Sequence, residues 1–188
     1  MHQPRIKLGL LLLVTLIQPV FANTNKIFGL TEKVYIEAFD THFEAKIDTG
    51  AESVSINAIN VRIEKAQSKD EDDLVHFDLI RPDNSLKSLT LPLKKHIRIK
   101  RRATDYKDHE KDYARRPVLE LDLCIGGQHR TVEANLADRR QFSKPVLIGS
   151  EPLVDFNALV DPSEEFLQDI NLCNSSGEAI PEEKDPEE

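Results

Sequence analysis

The residues best suited to chemistry in this sequence are Asp48, Thr49, Gly50 and Ala51. They follow a run in which Phe43, Ala45 and Ile47 alternate with polar residues, and they precede a second β-prone run, Val54-Ser55-Ile56. The pattern predicts a strand ending at Asp48, with Gly50 turning the backbone where a Cβ would clash. An acid is thereby held on a loop, where a carboxylate can exchange a proton with a bound water. The alternative is an ordinary Asx-type turn, in which the carboxylate only accepts local N–H groups.

Other chemistry-bearing residues are dispersed. His42, His76, His96, His109 and His129 lack the spacing of a metal site, and no His-Glu-x-x-His occurs. No Gly-rich loop ends in Lys-Ser or Lys-Thr to cradle a phosphate. The reading therefore assigns no metal and no other cofactor. Nothing marks a His partner that would activate Cys124 or Cys173 as a nucleophile. In an oxidising compartment the two could pair and staple the C-terminal segment to a core strand; otherwise they stay separate thiols.

The elements that must position Asp48 read mainly as β-strands. Residues 33–39 and 42–47 form a predicted hairpin turning at Phe39-Asp40-Thr41, and it leads straight into the acid. Apolar alternation continues over 54–63, and the polar stretch 65–73 reads as a solvated loop. Strands are expected at 74–80 and 86–93, joined by the turn chemistry of Pro82-Asp83-Asn84-Ser85. Residues 117–125 and 128–137 alternate strongly around Gly126-Gly127, a hairpin signal. Val146-Leu147-Ile148-Gly149 reads as a buried strand ending at a glycine, followed by a short helix-like segment.

Both ends differ from this middle. Residues 1–22 read as a secretory signal peptide: Arg5 and Lys7, an apolar stretch over 8–17, and a small-residue site at Val20-Phe21-Ala22. The apolar stretch is too short to span a bilayer roughly 30 Å thick, and no Cys follows the cleavage site to accept a lipid. A periplasmic or secreted protein without a stable membrane anchor is expected, cleaved near Ala22. Residues 23–174 fit one domain, and the Pro- and Glu-rich tail 175–188 should be disordered. A net charge of −8 argues against a general nucleic-acid binder. The one dense basic run, residues 94–102, alternates Ile97 and Ile99 with Arg98 and Lys100. It reads as a strand with a solvated basic face, or as a docking surface for acidic substrates built from Arg98, Lys100, Arg101 and Arg102.

Six segments occur in an order that carries a resemblance: Asp48-Thr49-Gly50-Ala51, Arg116-Pro117-Val118, Ile125-Gly126-Gly127, Leu136-Ala137-Asp138-Arg139, Val146-Leu147-Ile148-Gly149 and Leu159-Val160-Asp161-Pro162-Ser163. Over about residues 33–167 the chain resembles a bacterial family of retropepsin-like aspartic proteases, often labelled ATP-dependent zinc proteases. The resemblance implies an all-β acid-protease barrel with one short C-terminal helix. It makes Asp48 the catalytic acid, with Thr49, Gly50, Ala51, Ile148 and Gly149 supporting its loop. Two carboxylates about 3 Å apart share one proton and activate water. A single Asp-Thr-Gly in a chain this short then implies a homodimer acting on peptides.

The same resemblance implies a hairpin flap, with its tip at 81–85 or within 104–113. Ala51 lacks the hydroxyl that a Ser would offer the acid, which predicts a dyad titrating at milder pH. Ser150 stands where the family usually has Arg, which bears on dimer strength. A non-catalytic peptide-binding or assembly module on the same barrel is the alternative.

Overall fold

The computed structural model describes residues 25–100 and 112–173. The expected signal peptide, the acidic tail, Arg101, Arg102 and most of the segment 104–113 lie outside them.

Strands β1 (Lys26–Phe28), β2 (Thr31–Ile36), β3 (Thr41–Ile47) and β4 (Val54–Glu64) carry the acid loop between the last two. They are followed by β5 (Leu74–Ile80), β6 (Leu86–Pro92), β7 (Lys95–Lys100), β8 (Tyr113–Ile125) and β9 (Gln128–Ala137). After them come β10 (Val146–Ile148), helix α1 (Ser150–Asp155), β11 (Ala158–Val160) and a 3-10 turn at Ile170–Leu172. Six strands close a barrel in the order β10-β3-β2-β8-β9-β4, because β10 pairs parallel with β3 and antiparallel with β4. The fold is the expected mainly β barrel with one short helix near its C-terminal end. Period-2 alternation supplies its core: Phe43, Ala45 and Ile47 of β3, Val54, Ile56 and Ala58 of β4, and Leu119, Leu121 and Leu123 of β8 point inward.

Two details depart from simple alternation. The first hairpin does not run straight to Phe39: β2 stops at Ile36 and a 3-10 turn covers Glu37–Phe39. That turn drives Phe39 into the core, where it packs edge-on against Phe43 and Phe77. Asp40 closes it in the left-handed region at φ 50°, which a short polar side chain tolerates, and accepts a 2.7 Å hydrogen bond from the Tyr35 hydroxyl. In β4 the register with β5 shifts between Ile59 and Arg62, around Asn60 at φ 55°. β4 pairs with β9 over Val54–Asn57 and with β5 from Ala58 onward, on both sides of this irregularity. Gly126 and Gly127 both have positive φ, as a two-residue hairpin turn between β8 and β9 requires.

The segment after β11 returns across the start of the barrel. The amide of Leu30 donates to Glu164 O and the amide of Phe166 donates to Thr31 O. Beneath this strap lies Glu32, fully buried. Its carboxylate accepts N–H groups from Gly29 at 2.7 Å, Leu167 at 3.1 Å and Gln168 at 3.1 Å. A Cys124–Cys173 disulfide pins the strap's end to β8 across 49 residues. In a chain-entropy account a loop of that length contributes about 4 kcal/mol.

The last element needed by the acid is β10. It delivers Gly149 against the loop's far side, where a Cβ would lie 2.5 Å from Glu52 C and 2.7 Å from the Ser53 amide nitrogen. Those atoms are backbone and cannot swing aside.

Two outcomes follow. Glu32→Ala leaves two strap N–H groups and that of Gly29 without their anion and should lower unfolding free energy in urea by roughly 2–4 kcal/mol; an unchanged midpoint would show that the strap is held without it. Gly149→Ala must push the acid loop away and should cost roughly 1–3 kcal/mol. Its Tm should fall even with the disulfide intact.

Candidate active site

Asp48 sits where β3 ends, and the backbone around it is fixed on both sides. Its amide donates to Ile148 O of β10 at 3.0 Å, and the Ala51 amide donates back to Asp48 O at 3.2 Å. The first N–H groups of any helix lack intrahelical partners. In α1 those of Ser150 and Glu151 donate to Ala51 O at 2.8 Å and Glu52 O at 3.0 Å, so the acid loop caps the helix. Ile148 and Gly149 thus support the loop through main-chain contacts. Gly50 acts differently from expectation: a Cβ there would meet only Asp48 Oδ1 at 3.4 Å, an ordinary contact. The clash expected at Gly50 is absent, and the close approach is at Gly149, the glycine that the resemblance sets against the acid loop. What Gly50 contributes is its N–H, 3.1 Å from Asp48 Oδ1.

The carboxylate is 28% exposed, open enough for water and substrate. Lys46, two residues back on the same strand face, places Nζ 3.0 Å from Oδ2. This ion pair is the largest influence on Asp48 and holds its carboxyl below the usual value. Partial burial opposes it, and the Gly50 and Ala51 amides reinforce it. The missing Ser hydroxyl at Ala51 is therefore offset by an amine supplied from Lys46. Thr49 is exposed at the loop's tip, where a second copy could reach it.

The remaining sequence candidates are dispersed. Arg98 of β7 stands over the Tyr113 ring at 4.9 Å, and Lys100 ends the same strand, exposed. Ile97 and Ile99 are half-buried between them, so β7 has the expected basic outer face. Arg101 and Arg102 lie outside the described residues. The turn 81–85 joins β5 to β6, and its Arg81, Pro82 and Asn84 line a cavity of about 550 Å³ with Arg139, Phe142 and Pro145. Asp48 is not among the residues lining it. Among the described residues, no three His, Cys, Asp or Glu side chains converge as metal ligands.

Four buried polar side chains were not legible as site residues: Ser55, Asn57, Asn135 and Arg139. Ser55, Asn57 and Asn135 alternate with apolar neighbours, so in sequence each reads as the solvent face of its strand, and Arg139, between Asp138 and Arg140 just beyond β9, reads as a solvated loop residue. Arg139 is buried and packs on the Phe142 ring at 4.6 Å, and its charge feels that of Asp48. Burial and the neighbouring Arg116 both hold the Arg139 guanidinium below its usual value, while Asp48 works the other way.

Comparison with known proteins agrees with this geometry. A crystal structure of a Legionella pneumophila protein of unknown function is 27% identical, with a TM-score of 0.59 over 77% of this chain and 98% of that one. Probable alpha-L-glutamate ligases of Shewanella pealeana and Shewanella halifaxensis are 31% and 32% identical over 123 residues. The match takes in 65% of this chain but spans 25% of the length of each of those relatives. A family model described as RimB-like, retropepsin-like aspartic endopeptidase RimB, matches residues 27–171. With the acid at a strand end and the glycine that backs it in place on a closed barrel, the chain belongs to the RimB-like family of retropepsin-like aspartic endopeptidases.

Proposed function

We propose that the protein is an exported aspartic endopeptidase, active as a homodimer in which two copies of Asp48 face each other. The observation that supports it best is the Asp48 carboxylate, oriented by the Gly50 N–H and open to solvent. One chain supplies one such acid, and dyad chemistry needs two. The ionised member removes a proton from water as the oxygen attacks the peptide carbonyl. The protonated member gives its proton toward the carbonyl oxygen, and the C–N bond breaks once the amine nitrogen is protonated. No covalent intermediate, metal or nucleotide takes part.

Export rests on residues 1–22, with the mature domain starting near Asn23. Acidic peptides are the favoured substrates. The exposed charges of Arg98 and Lys100 on β7 would steer them, and the curated relatives are named for ligation of glutamate.

A second reading, a peptide-binding module without catalysis, is favoured by the Lys46–Asp48 ion pair, because a dyad must share a proton where this chain holds an amine. Dimerisation separates the two readings, since a monomer can bind but cannot form a dyad.

Asp48→Asn keeps the shape of the acid and loses its proton chemistry. Cleavage of a broad peptide mixture should fall roughly 100- to 10,000-fold. If neither protein cuts while both are folded, the binding module is the better account. Lys46→Met removes the amine that lowers the Asp48 carboxyl, so that pKa rises. The ascending acidic limb of kcat/KM should then move to higher pH, and a limb that stays in place would show that Lys46 has already left Asp48 in the active dimer.

A further inference from the structure

The described residues end at Cys173, and the place where they end is next to a basic cavity. Cys173 is buried with Tyr35 and Cys124, and its bond to Cys124 holds this point of the chain against β8. Its carbonyl oxygen lies 2.6 Å from His42 Nε2 of β3. His42 packs against the Tyr35 ring at 4.9 Å and also lines the cavity of about 550 Å³ that the turn 81–85 and the segment 139–145 share. The last described residue therefore touches the cavity wall.

That wall carries four cations, Lys33, Arg81, Arg139 and Arg140, and one carboxylate, Glu44. Glu44 is already engaged, with Lys33 Nζ at 2.9 Å on one oxygen and Lys144 Nζ at 2.6 Å on the other. Arg140 pairs with Asp138 at the surface. Among the described residues, Arg81 and Arg139 have no carboxylate at salt-bridge distance. Arg81 Nε is buried and has no hydrogen-bond partner, and the Arg139 guanidinium has a long 3.4 Å bond from Nε to Lys144 O. Buried donors without acceptors are costly, and for a guanidinium fork a carboxylate is the best-matched acceptor. Apolar surface lies beside them. Phe142 is 53% exposed although Arg139 stands 4.6 Å over its ring, and Pro82 and Pro145 belong to the same wall. The cavity suits a chain in which acids flank an apolar residue.

Residues 174–188 have that composition. Six acids, Glu178, Glu182, Glu183, Asp185, Glu187 and Glu188, stand against one base, Lys184, and Ala179-Ile180-Pro181 separates the first two acids. Glu178 is five residues past Cys173, so an extended chain reaches about 17 Å from there to the first acid. In the same extended chain Glu178, Ile180 and Glu182 share one face. We propose that this segment docks in the basic cavity of its own chain, with Glu178 and Glu182 on the Arg81 and Arg139 guanidinium groups and Ile180 against Phe142. The short connection raises the effective concentration to the order of millimolar, so contacts of modest strength hold it. Glu44 of the cavity wall and Lys46, which bonds Asp48, are neighbours on the outer face of β3. A filled cavity therefore keeps other acidic chains off the strand face that leads to the acid. That consequence rests on the endopeptidase reading, whereas docking itself can be read without cleavage.

The test compares the mature protein, residues 23–188, with the same chain carrying a neutral tail: Glu178→Gln, Glu182→Gln, Glu183→Gln, Asp185→Asn, Glu187→Gln and Glu188→Gln. The probe is a fluorescein-labelled peptide of residues 174–188, read by fluorescence anisotropy. The neutral-tail chain should bind it at least about tenfold more tightly than the wild-type chain, whose cavity is already taken by its own tail. Adding Arg81→Gln to the neutral-tail chain should weaken that binding at least about tenfold, the scale of hydrogen bonds to a charged group. Arg140→Gln is read in its place if circular dichroism shows the Arg81→Gln protein unfolded. Equal binding by the wild-type and neutral-tail chains overturns the docking, and so does binding that neither arginine substitution weakens. If neutralising the tail dissociates a wild-type oligomer in sedimentation velocity, the tail sits on a second copy and docking within one chain falls. Cleavage of a peptide mixture by the two chains is scored separately. No cleavage by either, with the expected affinities, sinks the endopeptidase reading and leaves the docked tail standing.

Discussion

The structure depends on a mutual constraint between the acid loop and the segment running from β10 into α1. Two loop carbonyls, of Ala51 and Glu52, take up N–H groups that a helix start would otherwise leave unpaired, and Ile148 O fixes the Asp48 amide. The approach is close enough that only a residue without Cβ fits at position 149. Stretches about one hundred residues apart are thereby locked in one geometry. The same β10 closes the barrel through its pairing with both β3 and β4, so the acid's position and the barrel's integrity share one element.

This coupling explains why so short a helix is retained. Six residues form a poor helix on intrinsic grounds. Here the helix begins against the acid loop and buries Pro152 and Leu153, while Phe156 just beyond it is fully enclosed against Phe28. The strap then returns over the first strands and is held by an anion, Glu32, and a covalent bridge. Rigidity is concentrated behind the acid, and the acid's own carboxylate is left partly open.

The electrostatics around the acid divide by distance from Asp48. Lys46 acts directly on the carboxylate and favours its ionised form. Arg139 and Arg116 lie farther along the same barrel face, where burial weakens solvent screening and makes their charges more consequential than the exposed basic strand β7.

The sequence alone determined the strand framework, because period-2 alternation and turn chemistry are local: β9 begins and ends where alternation places it, and Gly126-Gly127 turns the preceding hairpin. It also determined the acid's place at a strand end, since apolar alternation up to Ile47 and β-prone residues from Val54 leave only a loop between. What it could not determine was which polar residues are buried. Ser55, Asn57 and Asn135 alternate with apolar residues as any solvated strand face does, and only the lateral order β3-β10-β4-β9-β8 reveals that they form one covered row. Nor could it assign the Lys46 amine to Asp48 Oδ2, because that pairing depends on a distance set by packing. Local pattern fixes which way a side chain points, and tertiary structure decides what it meets there.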